Sequence, residues 1–216
     1  MSRIIDLTLP LAQGMRGVNL EPSCTVEEEG WNATMLHLYS HAGTHMDAPT
    51  HFGVGETSID QIEPDRFMGP AWIAEIAGVN SKSLIQIKDL GVTADKVQPG
   101  ESLILRTGWS HYVHEPRYRD ELPRVSLELA QWCVERKINF LGVEPPSVAD
   151  VHNLEEVTRV HQTLLVGNVL PVEGLSNLHS IQQERITLII MPLKITGGDG
   201  SPVRALAVES KVKDLF

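Results

Sequence analysis

Cysteine is nearly absent from this chain. Cys24 and Cys133 are the only two, and neither belongs to a Cys-x-x-Cys pair. A disulfide framework or a cysteine-rich zinc module is therefore excluded as the organising device. Basic charge is scarce as well. Lys and Arg total 18 against 28 Asp and Glu, for a formal net charge of −10. Nucleic acid and anionic membranes are poor partners for such a chain. No apolar run approaches the roughly 20 residues that cross a bilayer. The first residues, Met-Ser-Arg-Ile-Ile-Asp, lack the apolar core of a signal peptide, so a cytoplasmic setting is expected. There is no internal repeat, low-complexity tract or flexible linker. What remains is 216 residues of which 42% are hydrophobic. That is enough for one domain over 1–216 with a substantial core.

Strand-like stretches outnumber helical ones. Residues 3–9, 33–39, 70–77, 83–87, 102–106, 138–143, 185–191 and 203–209 read as strands from short apolar runs bounded by Pro and Gly. Residues 11–30 read as irregular, with Gly14, Gly17, Pro22 and Gly30. Residues 126–137 read as a helix capped by Ser126, with Leu129, Ala130, Cys133 and Val134 on one stripe. Residues 155–167 read as a second helix. Both hairpin and crossover connections occur in this order. The expected architecture is an α/β single domain with helices packed on a mixed, curved sheet or barrel.

The chemistry concentrates in residues 41–52, His-Ala-Gly-Thr-His-Met-Asp-Ala-Pro-Thr-His-Phe. Four of the nine histidines, His37, His41, His45 and His51, fall within 15 residues. His and Asp are the donors that bind divalent cations such as zinc, manganese or iron. His41 and His45 are four apart, which on a helical turn puts both on one face, and Asp47 follows at a strand-like offset of two. Gly43 and Pro49 make the segment a shaped turn. Thr44 is a candidate to orient a ligand, and His51, beyond Pro49, need not share a cation. A polar turn with chance histidines, or a closed structural site, is the plainer reading. His161 lies on the apolar face made by Val157, Val160, Leu164 and Leu165, where a lone histidine is usually a core residue. Glu173 ends an apolar run and needs water or a cation; alone it reads as a surface-turn glutamate. His111, His114, His152 and His179 read as surface or substrate-loop residues. Trp31, Trp72 and Trp109 offer an aromatic wall, although core packing is the simpler role.

His41-x-Gly-Thr-His45-x-Asp47-x-Pro-x-His51-Phe52 resembles the signature of the metal-dependent cyclase hydrolases, the family of bacterial kynurenine formamidase and isatin hydrolase. Arg106-Thr107-Gly108, Gly142-Val143-Glu144-Pro145-Pro146-Ser147, His161-x-x-Leu-Leu and Glu173-Gly-Leu extend the likeness over most of the chain. The resemblance implies a swivelling β/β/α fold and a homodimer or homotetramer. It implies that His41, His45 and Asp47 ligate one metal, that Asp47 and Glu173 bridge to a second also bound by His161, and that His51 moves protons. Zinc is the first candidate, one or two ions per chain, with manganese as the alternative. The implied reaction is hydrolysis of a small aryl formamide resembling N-formylkynurenine, a step of tryptophan catabolism. An isatin-type lactam or lactone hydrolase is the nearest alternative, and a non-catalytic metal-binding protein is a different class. Two departures stand out. The N-terminal Trp-Pro-Gly-like segment of formamidases is replaced by Gln13-Gly14-Met15-Arg16-Gly17-Val18, making Met15 and Arg16 the candidate substrate contacts, and Glu144 stands where the family has Asp.

Overall fold

The computed structural model describes residues 2–209. Its strands are β1 (Arg3–Asp6), β2 (Val18–Cys24), β3 (Ala33–Leu38), β4 (His45–Asp47), β5 (Met68–Glu75) and β6 (Leu84–Ile85). They continue with β7 (Ser102–Arg106), β8 (Arg124–Val125), β9 (Phe140–Val143), β10 (Leu170–Glu173), β11 (Arg185–Pro192) and β12 (Gly200–Glu209). Three single-turn helices, α1 (Val26–Glu29), α2 (Thr93–Lys96) and α3 (Arg117–Asp120), precede two longer ones, α4 (Leu127–Glu135) and α5 (Leu154–Val166).

The main sheet runs β1-β12-β11-β5-β7-β9-β10-β4, and β4 also pairs with β12. That last pairing closes seven strands into a barrel, with β1 added along the far half of β12. β5, β7, β9 and β10 are mutually parallel, and the other pairs in this sheet are antiparallel. The expected mixed α/β sheet or barrel is the observed fold. Parallel strands covered on both faces read as unbroken apolar runs, and Ser102-Leu103-Ile104-Leu105 behaves so. Ile104 joins the cluster inside the barrel, with Phe140, Val172, Leu188 and Ala205. Leu103 and Leu105 point the other way and pack with Leu129, Cys133 and Leu164 of the two long helices.

The same alternation places the functional strands. Met46 of β4 and Val172 of β10 enter the barrel cluster, so His45, Asp47 and Glu173 turn to the opposite face, towards α5. Residues 11–30 are not irregular as expected. β2 pairs with β3 as a separate hairpin, Val18 opposite Leu38 and Leu20 opposite Leu36. β4 and β10 lacked a strand signal because each is three or four residues long, and Pro171 interrupts the second.

Candidate metal centre

Several pieces of backbone aim the members of the site. His41 sits in the turn after β3. The expected helical turn for His41 and His45 is absent: Gly43 takes φ +62°, and the chain enters β4 directly at His45. A left-handed residue breaks a right-handed turn, and pairing with β10 and β12 then sets His45 and Asp47 two residues apart on one strand face. His45 lies opposite Glu173, and Asp47 opposite Gly200. Gly200 is required there, because a Cβ would come within 2.6 Å of the His41 ring. Thr44 does not reach a ligand side chain. Its hydroxyl donates to Gly174 O at 2.6 Å and accepts from Leu9 N at 2.8 Å, locking the motif to the end of β10.

These residues converge under α5. His41 Nδ1 is 2.9 Å from Asp47 Oδ1, and His45 Nε2 is 3.1 Å from Glu173 Oε2. His161 Nε2 lies 3.2 Å from Glu173 Oε1 and 3.6 Å from Asp47 Oδ2. The remaining ring nitrogens are fixed by main chain: His45 Nδ1 donates to Gly43 O at 3.0 Å and His161 Nδ1 to Val157 O at 2.7 Å. In both rings Nε2 is thus the nitrogen turned towards the carboxylates, and the one a cation would take in place of a proton. Glu173, expected at the surface on its plainer reading, is 3% exposed and also accepts from Val148 N at 2.7 Å. His161 is buried on the predicted apolar stripe of α5, and it serves the polar cluster rather than the core.

The residues fit a divalent cation. Asp47 is fully buried, and its Oδ2 is a buried oxygen without a hydrogen-bond partner among the described residues. Such an atom costs about 1–3 kcal/mol, more when charged. Among the described residues three groups have ligand atoms mutually within 4.8 Å: His41-His45-Asp47 and Asp47-His161-Glu173, which share Asp47, and His41-His51-Asp199. Burial works against the charged forms of His41, His45 and His161, but Asp47, Glu173 and Asp199 outweigh it and hold these imidazoles above their ordinary pKa. Burial likewise opposes ionised Glu173, and His161 and His45 hold its carboxyl well below the usual range all the same. Protons and a cation compete for one donor set, so metal affinity falls as pH drops.

His51 stands at the edge in the turn Pro49–Phe52, its side chain 23% exposed and its ring stacked on His41 at 3.8 Å. Burial lowers its pKa below 6.5. Phe52 stacks on His161 at 4.4 Å and covers that side of the cluster. Beside His41 opens a cavity of about 830 Å³, lined by Met15, Arg16, Tyr118 and Pro146 among others. Met15 and Arg16 therefore line the cavity that borders His41. His114 lines the same cavity, whereas His111 and His179 face another, smaller one. His152 is exposed beside Asp120, and His37 pairs with Glu21 away from the cluster. Trp109 is buried, Trp72 is partly buried, and Trp31 is exposed, so none walls this cavity. Glu144 accepts from Thr107 N, Gly108 N and Ser110 Oγ, holding the turn after β7. Its carbonyl accepts the Tyr118 hydroxyl at 2.7 Å, which fixes one cavity wall. Asp199 escaped the sequence reading and lies 3.3 Å from His41 Nε2.

A model of the putative cyclase family matches residues 5–150. The chain belongs to that family. Among its relatives, the kynurenine formamidase of Bacillus cytotoxicus is 28% identical over 212 residues, spanning 95% of this chain and 97% of the relative. That of Erythrobacter litoralis is 26% identical over 210 residues, covering 97% and 92%. Several solved structures share the fold, isatin hydrolases among them. An isatin hydrolase bound to the product analogue thioisatinate has a TM-score of 0.86 at 21% identity, with 97% and 93% of the chains covered. Isatin hydrolase A from Labrenzia aggregata bound to benzyl benzoate has a TM-score of 0.87 at 24% identity, with 97% and 94% covered.

Proposed function

We propose that this protein is a metal-dependent hydrolase of amide C–N bonds, acting on a small aryl formamide of the N-formylkynurenine type. The observation that carries the reading is Asp47, a buried carboxylate with a bare oxygen, shared by two histidine-carboxylate groups. His41, His45 and Asp47 would hold one divalent ion, and Asp47, His161 and Glu173 a second. A bound ion would supply water acidified to a pKa of about 7 and positive charge against the developing oxyanion. The formamidase relatives, matched over nearly their full length, support the formamide over other amides. The isatin hydrolase likeness keeps a lactam as the second reading.

The chain's own groups divide the remaining work. His51, unprotonated at neutral pH because its pKa is lowered by burial, takes a proton on the ring nitrogen turned from Asp199 and returns it to the departing nitrogen. Phe52 and α5 keep bulk water off His161 and Glu173. Met15 and Arg16 meet the ring or anionic group of the substrate, Met by adaptable packing and Arg by pairing or stacking. Zinc is the first choice of ion and manganese the second. A homodimer or homotetramer in the cytoplasm, serving tryptophan breakdown, completes the proposal.

The test is turnover of N-formyl anilines, isatin and simple lactones by chelator-stripped protein and by protein reloaded with zinc or manganese. Reloading should restore hydrolysis, fastest on a formyl anilide. Arg16→Ala should raise KM more than it lowers kcat, because it removes binding made equally in ground and transition states. Unchanged kinetics on the best substrate would show that this loop does not read the substrate.

A further inference from the structure

Asp199 stands just ahead of β12, outside the five residues proposed to hold the ions. Its position is set by strand pairing: its carbonyl accepts from Ala48 N at 2.9 Å, and the next residue, Gly200, lies opposite Asp47. From there its Oδ2 comes 3.3 Å from His41 Nε2 and 3.6 Å from His51 Nδ1. The two rings stack at 3.8 Å and 29°. One carboxylate oxygen therefore faces one nitrogen on each of two stacked imidazoles.

An ionised carboxylate only accepts hydrogen bonds. It selects the N–H form at each nitrogen it faces. For His41 that means hydrogen on Nε2; a cation on the Asp47 side, where Oδ1 lies 2.9 Å from Nδ1, would then take the Nδ1 lone pair in place of that contact. For His51 it means hydrogen on Nδ1, leaving Nε2 to accept a proton. Outer carboxylates fix ligand tautomers in this way.

We propose that Asp199 is a positioning residue whose single Oδ2 sets the tautomers of His41 and His51 together, coupling the orientation of an ion-holding ring to that of the proton carrier. The catalytic consequence rests on the hydrolase reading; the tautomer consequence does not. The 3.6 Å contact to His51 exceeds a hydrogen bond, and such contacts shorten when substrate fills the site. Asp199 also forms a possible ligand group with His41 and His51. A neutral imidazole has one lone pair, so His41 cannot serve that group while its lone pair faces the Asp47 group.

Asp199→Ala, Asp199→Asn and Asp199→Glu test this in zinc-loaded protein. The Asp199 side chain is 47% exposed, so truncation opens no buried cavity, and the isosteric Asn variant guards against misfolding. Three readouts are compared: zinc per chain, the His51 ring tautomer by long-range ¹H–¹⁵N NMR, and kcat with KM. The expectation is unchanged zinc content at saturation, loss of the single Nδ1–H tautomer of His51, and a kcat about 10–100-fold lower. KM should stay within about threefold, and Glu should recover part of kcat. Loss of one zinc per chain would make Asp199 a ligand and overturn the proposal. An unchanged His51 tautomer would overturn it equally. If the wild type hydrolyses nothing in the substrate panel, the hydrolase reading fails while the NMR result still decides Asp199.

Discussion

Asp47→Ala should abolish activity and bring divalent-ion content down to the blank. Among the described residues no other side chain belongs to both the His41-His45-Asp47 and the Asp47-His161-Glu173 groups, so its loss removes one donor from each at once. The variant also leaves His41 and His161 without the oxygens they face at 2.9 and 3.6 Å. His45→Ala should behave differently, because Asp47, His161 and Glu173 still form a complete group. Elemental analysis of both variants after incubation with zinc separates the cases. An Asp47→Ala protein that keeps its full ion content would show that the cluster is not organised around this carboxylate.

His51→Ala should lower kcat by about 10²–10⁴-fold, the usual scale for a positioned general acid–base group. Its ion content should match the wild type, since His51 belongs to neither of the two Asp47-centred groups. Its ring is partly exposed and stacked on His41, so truncation leaves the buried donors in place. Loss of the ion together with activity would reassign His51 as a ligand.

How much of this was legible in the sequence depended on spacing along the chain. His41, His45, Asp47 and His51 announced themselves because they are contiguous and punctuated by Gly43 and Pro49. The geometry inferred for them was partly wrong: the four-residue step between His41 and His45 invited a helical turn, whereas Gly43 and the pairing of β4 with two neighbours make a turn and a strand. Nothing local distinguishes β4 from a loop, since its extension comes from partners more than a hundred residues away. His161 looked like a core residue on an apolar stripe, and its burial is indeed core-like. Only the placement of Glu173 and Asp47 beneath it reveals the polar role. Glu173 became readable through the family pattern, not through its surroundings in sequence. Asp199 gave no signal, because an Asp in a Gly-rich turn before a strand is ordinary turn chemistry. The closed barrel that brings it to His41 depends on the β4–β12 pairing, a contact between distant segments.

The fold places the whole chemistry on one outer face of the barrel. Met46 and Val172 bury the inner side of β4 and β10, which frees their neighbours His45, Asp47 and Glu173 for the cation site. α5 then supplies His161 from above, and the turn after β4 supplies His51 from the side. With His41 from the turn after β3, five separate segments contribute, brought together by the closed barrel.

The most direct test of the central claim is the divalent-ion content of the purified protein after zinc loading and exhaustive dialysis, measured alongside hydrolysis of a formyl anilide. One or two ions per chain are predicted, with activity rising in step with ion content and vanishing when a chelator removes it. Well under one ion per chain, or hydrolysis that persists undiminished in stripped protein, would contradict the account.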